Sequence, residues 1–243
     1  MPETAIFYGF EITEFLEPQM SDNTPTNTTR RALIIETDAV LLHAISNSTA
    51  PLLALFKENG LELTPWQLIQ RLVGITPERF CDQTFGAGAK PGLSEAIRST
   101  VLAALQKDTG KLAAEVAAIV AEAAPKNVRV VLVSALPDVR VKELLGEGLK
   151  DQVQVLQVTR SHSLVYKPEM WHAVCARIKL PERACVAVAG SGISSRSALA
   201  AGMCCVVACD PAMEGNDFGG ADYVSAKIDS QLLAEAFRCL RVS

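Results

Sequence analysis

Two carboxylates stand two positions apart, Glu36 and Asp38, at the end of the apolar run "ALIIE". Carboxylates placed there can exchange protons with a substrate or ligate a hard cation such as Mg²⁺, which prefers oxygen ligands in near-octahedral geometry. Lys167-Pro168 follows a later strand-like run, and an ammonium at a strand end is costly to bury without a partner. Gly190-Ser191-Gly192 opens a helix of small residues, where free N–H groups can hold an anion without metal. The same stretch, Gly190-x-Gly192-x-x-Ser195 followed by Asp210, mimics a dinucleotide fingerprint. Ser195 stands where that fingerprint needs its third glycine, and its side chain would crowd the helix–strand contact.

The seven cysteines form no CxxC pair, and His43, His162 and His172 do not cluster near them with ligand spacing. Neither a disulfide framework nor a zinc site is expected, and the cysteines read as buried small hydrophobes in a reducing compartment. The 27 Asp+Glu against 23 Lys+Arg leave no basic surplus to neutralise phosphates, which argues against a nucleic-acid binder. No stretch approaches the ~18 apolar residues of a membrane span, so no membrane partner is expected. The first residues carry Glu3, Glu11, Glu14 and Glu17, unlike a signal or transit peptide, and a cytoplasmic protein is the expectation.

Positioning these residues requires a sheet. Apolar runs at 31–37, 128–134, 153–159, 185–190 and 204–209 suit buried parallel strands, and helix-like stretches at 137–149, 169–180 and 194–203 separate the later ones. The implied fold class is α/β, a doubly wound parallel Rossmann-like sheet. Residues 47–107 contain no convincing strand. Thr64-Pro65 and Thr76-Pro77 mark helix starts there, with Thr as N-cap and Pro as first helical residue, and 93–106 reads as another helix. The expected organisation is an arm and linker at 1–30, a core at 31–46 and 108–243, and an inserted all-helical cap at 47–107. Phe7, Tyr8, Phe10 and Phe15 lie on the arm, ahead of the polar linker 21–29. Such aromatics dock either on their own domain or, through residues 1–20, on a protein partner or a second copy of the chain.

Four motifs in order give the chain a specific resemblance: "ALIIETDAVL" (32–41), "VVLVSALP" (130–137), "YKPEMW" (166–171) and "VAVAGSGISSRSALAAGM" (186–203). Supported by "LVGITPERF" (72–80) and "FGGADYV" (218–224), it resembles the haloacid dehalogenase superfamily, in the helical-cap branch similar to β-phosphoglucomutase and small-metabolite phosphatases. The resemblance implies a Rossmann-like core with a helical cap and Mg²⁺-assisted phosphoryl transfer through an aspartyl-phosphate. It puts Glu36 at the nucleophile position, Asp38 at the general acid–base and metal-carbonyl position, Ser134 at the phosphate-binding hydroxyl and Lys167 at the phosphate-neutralising ammonium. Glu36 and Asp38 would be the metal residues.

Two departures bear on activity. Glu36 replaces the family's aspartate, and its extra methylene moves the carboxylate oxygen by about 1.5 Å, where a misplacement of ~1 Å can cost on the order of 10²-fold in rate. Where the family carries a metal-binding acid, this chain has Ala189-Gly190-Ser191, with no Asp or Glu between Glu182 and Asp210. Three readings follow. The favoured one is a pseudoenzyme that has lost phosphoryl transfer and serves in binding or protein interaction. The alternatives are an atypical Mg²⁺-dependent phosphatase or hydrolase of a small phosphorylated metabolite, and a nucleotide-cofactor binder. An anion could sit at Ser134, Lys167, Gly190, Ser191 and Gly192 in any of them. Blander accounts remain open, with Ser134 ending a strand and Asp38 capping the turn after the first.

Overall fold

The computed structural model describes residues 30–107, 109–158 and 167–242. The aromatic arm and the linker therefore lie outside the described residues. Six parallel strands, β1 (Ala32–Glu36), β2 (Arg129–Ser134), β3 (Gln154–Gln157), β4 (Cys185–Ala189), β5 (Cys204–Ala208) and β6 (Tyr223–Ser225), form one sheet in the order β3-β2-β1-β4-β5-β6. The apolar runs form central strands because both faces of the sheet are covered. In β1, Leu33 and Ile35 pack into one buried cluster, and Ala32 and Ile34 into the other. The chain leaves β1 toward β2 on one side and returns to β4 on the other. The crevice between β1 and β4 is therefore the topological switch point, where such sheets bind ligands.

A short buried helix, α1 (Thr37–Val40), follows β1 directly. Four helices come next: α2 (Ala44–Glu58), α3 (Pro65–Leu72), α4 (Pro77–Phe85) and α5 (Leu93–Ala104). They pack around Phe56, Phe80, Leu52 and Ile97 as the cap. The core helices are α6 (Leu112–Ala123), α7 (Asp138–Leu145), α8 (Pro168–Ile178), α9 (Gly192–Ala200) and α10 (Ser230–Cys239).

Both threonine–proline starts behave as N-caps. The Thr64 hydroxyl accepts from the Gln67 N–H at 3.2 Å while the Gln67 side chain accepts from the Thr64 N–H at 2.9 Å. The Thr76 hydroxyl accepts from the Arg79 N–H at 3.2 Å. Helix α2 has no local signal, because "SNSTAP" (46–51) carries turn residues and a proline. The helix nevertheless runs through Pro51, with the Thr49 hydroxyl donating to the Ile45 carbonyl at 2.7 Å. Burial of Ile45, Leu52 and Phe56 on one stripe supplies what local propensity lacks.

The cap is seated on the core through apolar side chains. Ala39, Met213 and, partly buried, Ile193 belong to the cap's own hydrophobic cluster. Ile193 fits against Gly74, where a Cβ would lie 2.4 Å from Ile193 Cδ1 and where φ is +91°. Gly74→Ala is therefore expected to cost about 1–2 kcal/mol, from left-handed backbone strain and from displacement of the isoleucine. Adding Ile193→Val should recover the steric share in thermal melts, and no recovery would mean that backbone strain carries the whole effect.

Cys81, Cys175, Cys185 and Cys205 are buried as expected, whereas Cys204, Cys209 and Cys239 are only partly so. Among the described residues no helix is long and apolar enough to cross a membrane.

Candidate active site at the β1–β4 crevice

Parallel register brings the motif residues to one edge of the sheet. Ile35 lies opposite Leu132 on one side and Val188 on the other, so β1, β2 and β4 end together. Glu36 and Asp38 emerge between those ends, 1% and 0% exposed. Each is tied to a different neighbour. Glu36 Oε2 accepts from the Gly190 N–H at 2.9 Å, just past β4. Asp38 turns the other way and accepts from the Ser134 hydroxyl and from the Ala135 N–H, the latter at 2.8 Å. Ser134 Oγ in turn accepts from the Leu136 N–H at 3.0 Å.

Burial pushes the Asp38 carboxyl up to about 6, outweighing the opposing pull of the Ser134 and Ala135 hydrogen bonds. A carboxyl with that pKa can carry a proton near neutral pH, which is what general acid–base work requires. Its position beneath the surface keeps it from bulk water.

Gly190 occupies the position where a metal-binding acid would be needed, and the structure explains the glycine. A Cβ there would lie 2.6 Å from Ala39 Cβ and 3.1 Å from the Ala39 carbonyl carbon. The Ala39 methyl thus fills the space that a side chain at 190 would use. Glu36 is oriented onto a backbone N–H, and position 190 itself offers no side-chain oxygen to a cation such as Mg²⁺.

Part of the turn Gly190-Ser191-Gly192, where an anion position was expected, is engaged by the chain itself. The Gly190 N–H serves Glu36, and the Ser191 hydroxyl caps α9 by accepting from the Ser194 N–H at 3.2 Å. The Asp217 carbonyl oxygen would lie 2.3 Å from a Cβ on Gly192. That carbonyl also accepts from Arg196 Nη1 at 3.1 Å. Lys167 is exposed, at the amino end of α8.

A third buried carboxylate at this edge, Asp210, does not belong to the four motifs. It is 0% exposed, just after β5, and accepts from the Ser46 hydroxyl, from the Ser46 N–H at 3.3 Å and from the Ala212 N–H at 2.9 Å. Its own N–H donates to the Gly190 carbonyl at 3.1 Å. Asp210 therefore fastens the start of the cap to the sheet, which engages the acid that a dinucleotide ribose would need. Its place directly after the apolar run "CCVVAC" was the available sequence signal.

A cavity of about 290 Å³ opens between α3, α9 and residues 213–217, lined by Trp66, Gln70, Ile193, Arg196, Asn216 and Asp217. It lies beside the crevice, and neither Glu36 nor Asp38 lines it. The open concave space and the buried carboxylates are thus separate features.

No family model matches the chain, and no curated protein matches it in sequence. Solved structures do match in fold. CbbY from Rhodobacter sphaeroides, determined in complex with phosphate, is 18% identical, with 81% of this chain and 94% of that one covered at a TM-score of 0.58. β-Phosphoglucomutase from Clostridium difficile is 12% identical over 86% of this chain and 97% of its own, also at 0.58. A phosphonoacetaldehyde hydrolase-like protein from Oleispira antarctica is 13% identical, covering 92% and 99%, again at 0.58. The chain therefore has the haloacid dehalogenase fold, a six-stranded Rossmann-like core with a helical cap.

Proposed function

We propose that this chain is a pseudoenzyme of the haloacid dehalogenase fold, one that binds a ligand or partner without transferring phosphate. The observation carrying this reading is the packing of Ala39 against Gly190, which excludes an acid from the metal position while Glu36 is engaged by the Gly190 N–H. Phosphoryl transfer needs an in-line nucleophile and cation charge against the developing anion, and this crevice offers neither in working geometry. Binding falls instead to the cavity between cap and core. Its Arg196 guanidinium and half-exposed Trp66 suit a small anionic ligand with a flat or apolar portion, and a phosphorylated metabolite belongs to that class.

The test is a panel of small phosphate esters assayed with millimolar Mg²⁺, comparing the wild-type chain with Glu36→Gln. No metal-dependent turnover above buffer is expected from either. Turnover in the wild type that vanishes in the variant would overturn the proposal and leave an atypical phosphatase.

A further inference from the structure

At the opposite end of the sheet from the crevice, three ligating groups from distant parts of the chain converge. Cys204 is the first residue of β5, Asp222 immediately precedes β6, and Cys239 is the last residue of α10. Their two sulfurs and a carboxylate oxygen all lie within 4.8 Å of one another. We infer that Cys204, Asp222 and Cys239 form a binding site for a thiophilic divalent cation, Zn²⁺ in the first instance, with a fourth position open to water.

The donor set favours such an ion. Thiolate sulfur selects zinc over magnesium or calcium, and a carboxylate oxygen is an ordinary third ligand. Zn–S bonds of ~2.3 Å in a tetrahedron separate two sulfurs by about 3.8 Å. The groups therefore need to close by roughly 1 Å or less, which side-chain rotation can supply.

The surroundings hold the ligands in place. Asp222 is fixed twice to Cys205: its N–H donates to the Cys205 carbonyl at 2.7 Å, and its Oδ2 accepts from the Cys205 N–H at 2.9 Å. A ligand carboxylate oriented by a backbone donor is the usual support of a metal site. Cys239 ends a helix of 10 residues, whose carboxyl terminus carries partial negative charge and favours a cation. The two cysteines are partly buried and Asp222 is exposed, so an ion can enter from solvent and one coordination position stays open. Thirty-four residues separate the cysteines, so no short ligand motif announces the site in the sequence.

Bound there, the ion would fasten α10 to the β5–β6 edge of the sheet, remote from the crevice. The site is independent of whether the crevice retains chemistry.

The experiment uses the full chain, reduced with a non-chelating phosphine. Zinc is titrated against a chromogenic chelator, and Co²⁺ is added in parallel as a spectroscopic probe. The expected result is about one zinc per chain, a rise in melting temperature with zinc, and a Co²⁺ spectrum with thiolate charge transfer and tetrahedral d–d bands. Cys204→Ser and Cys239→Ser should each weaken zinc binding on the order of 100-fold, and Asp222→Asn ~10-fold with an altered Co²⁺ spectrum. Because zinc uptake and the cobalt spectrum are read on the wild-type chain, a misfolded cysteine variant does not remove the test. Failure of the reduced wild-type chain to take up zinc overturns the inference, as does zinc uptake unchanged by both cysteine substitutions. So does a pair that closes to a disulfide in air and binds no zinc once reduced.

Discussion

Placing an aspartate at position 190 is expected to destabilise the chain by about 4 kcal/mol, lowering its melting temperature by roughly 8–16 °C. The new Cβ meets the Ala39 methyl at 2.6 Å and its carbonyl carbon at 3.1 Å, and no side-chain rotation moves either contact. The added carboxylate would also be buried beside Glu36, which already accepts the Gly190 N–H. Gly190→Ala separates the two causes, since it keeps the clash and omits the charge, and about half the loss is expected from it. Ala39→Gly in the Gly190→Asp background removes the closest contact but leaves the one at 3.1 Å, so recovery should be partial. Restoring acids by Glu36→Asp with Gly190→Asp should therefore yield no activity, and only the chain that also carries Ala39→Gly should gain thermal stability from added Mg²⁺. Melts of the five variants in parallel decide the matter. A Gly190→Asp chain as stable as the wild type would show that the crevice has room for a metal-binding acid.

The same pair of residues shows where sequence reading stops. Five of the six strands were legible as short apolar runs, whereas β6, three residues long and only partly buried, was not, and the cap helices at Pro65 and Pro77 were legible because their capping threonines act within three residues. The absence of an acid at 190 was equally plain. Its cause was not, because Ala39 and Gly190 meet only through the pairing of β1 with β4. Asp210 was legible only as the acid of a dinucleotide-like pattern, and its role as an anchor was not, because its partner Ser46 is 164 positions away, in a helix that local propensity does not announce. The convergence of Cys204, Asp222 and Cys239 likewise depends on tertiary packing. Local signals thus marked the motif residues, while the contacts that decide whether those residues can work are long-range.

Asp38 provides the second large effect, and its sign follows from its burial. Its carboxyl titrates at about 6 in the folded chain, against 3.8 as its ordinary value. Between those values the folded chain holds a proton that the unfolded chain releases, so stability falls as pH rises through the window. The contribution is fully present below about pH 4 and is lost above about pH 7, amounting to roughly 3 kcal/mol at ~1.4 kcal/mol per unit. Other groups titrate over the same range, so the useful quantity is the difference between the wild type and Asp38→Asn, in which their contributions cancel. The amide introduced by Asp38→Asn keeps an oxygen for the Ser134 hydroxyl or the Ala135 N–H and carries no charge to desolvate. Relative to the wild type, the variant should therefore gain about 3 kcal/mol between pH 4 and pH 8, with the step centred between pH 4 and 6. Urea unfolding at intervals across that range measures it. Parallel pH profiles would mean that Asp38 reaches solvent and titrates as an ordinary carboxylate. A step of the expected size would mean that Asp38 keeps its proton up to about pH 6 in the folded crevice, beside a position 190 that the Ala39 methyl crowds.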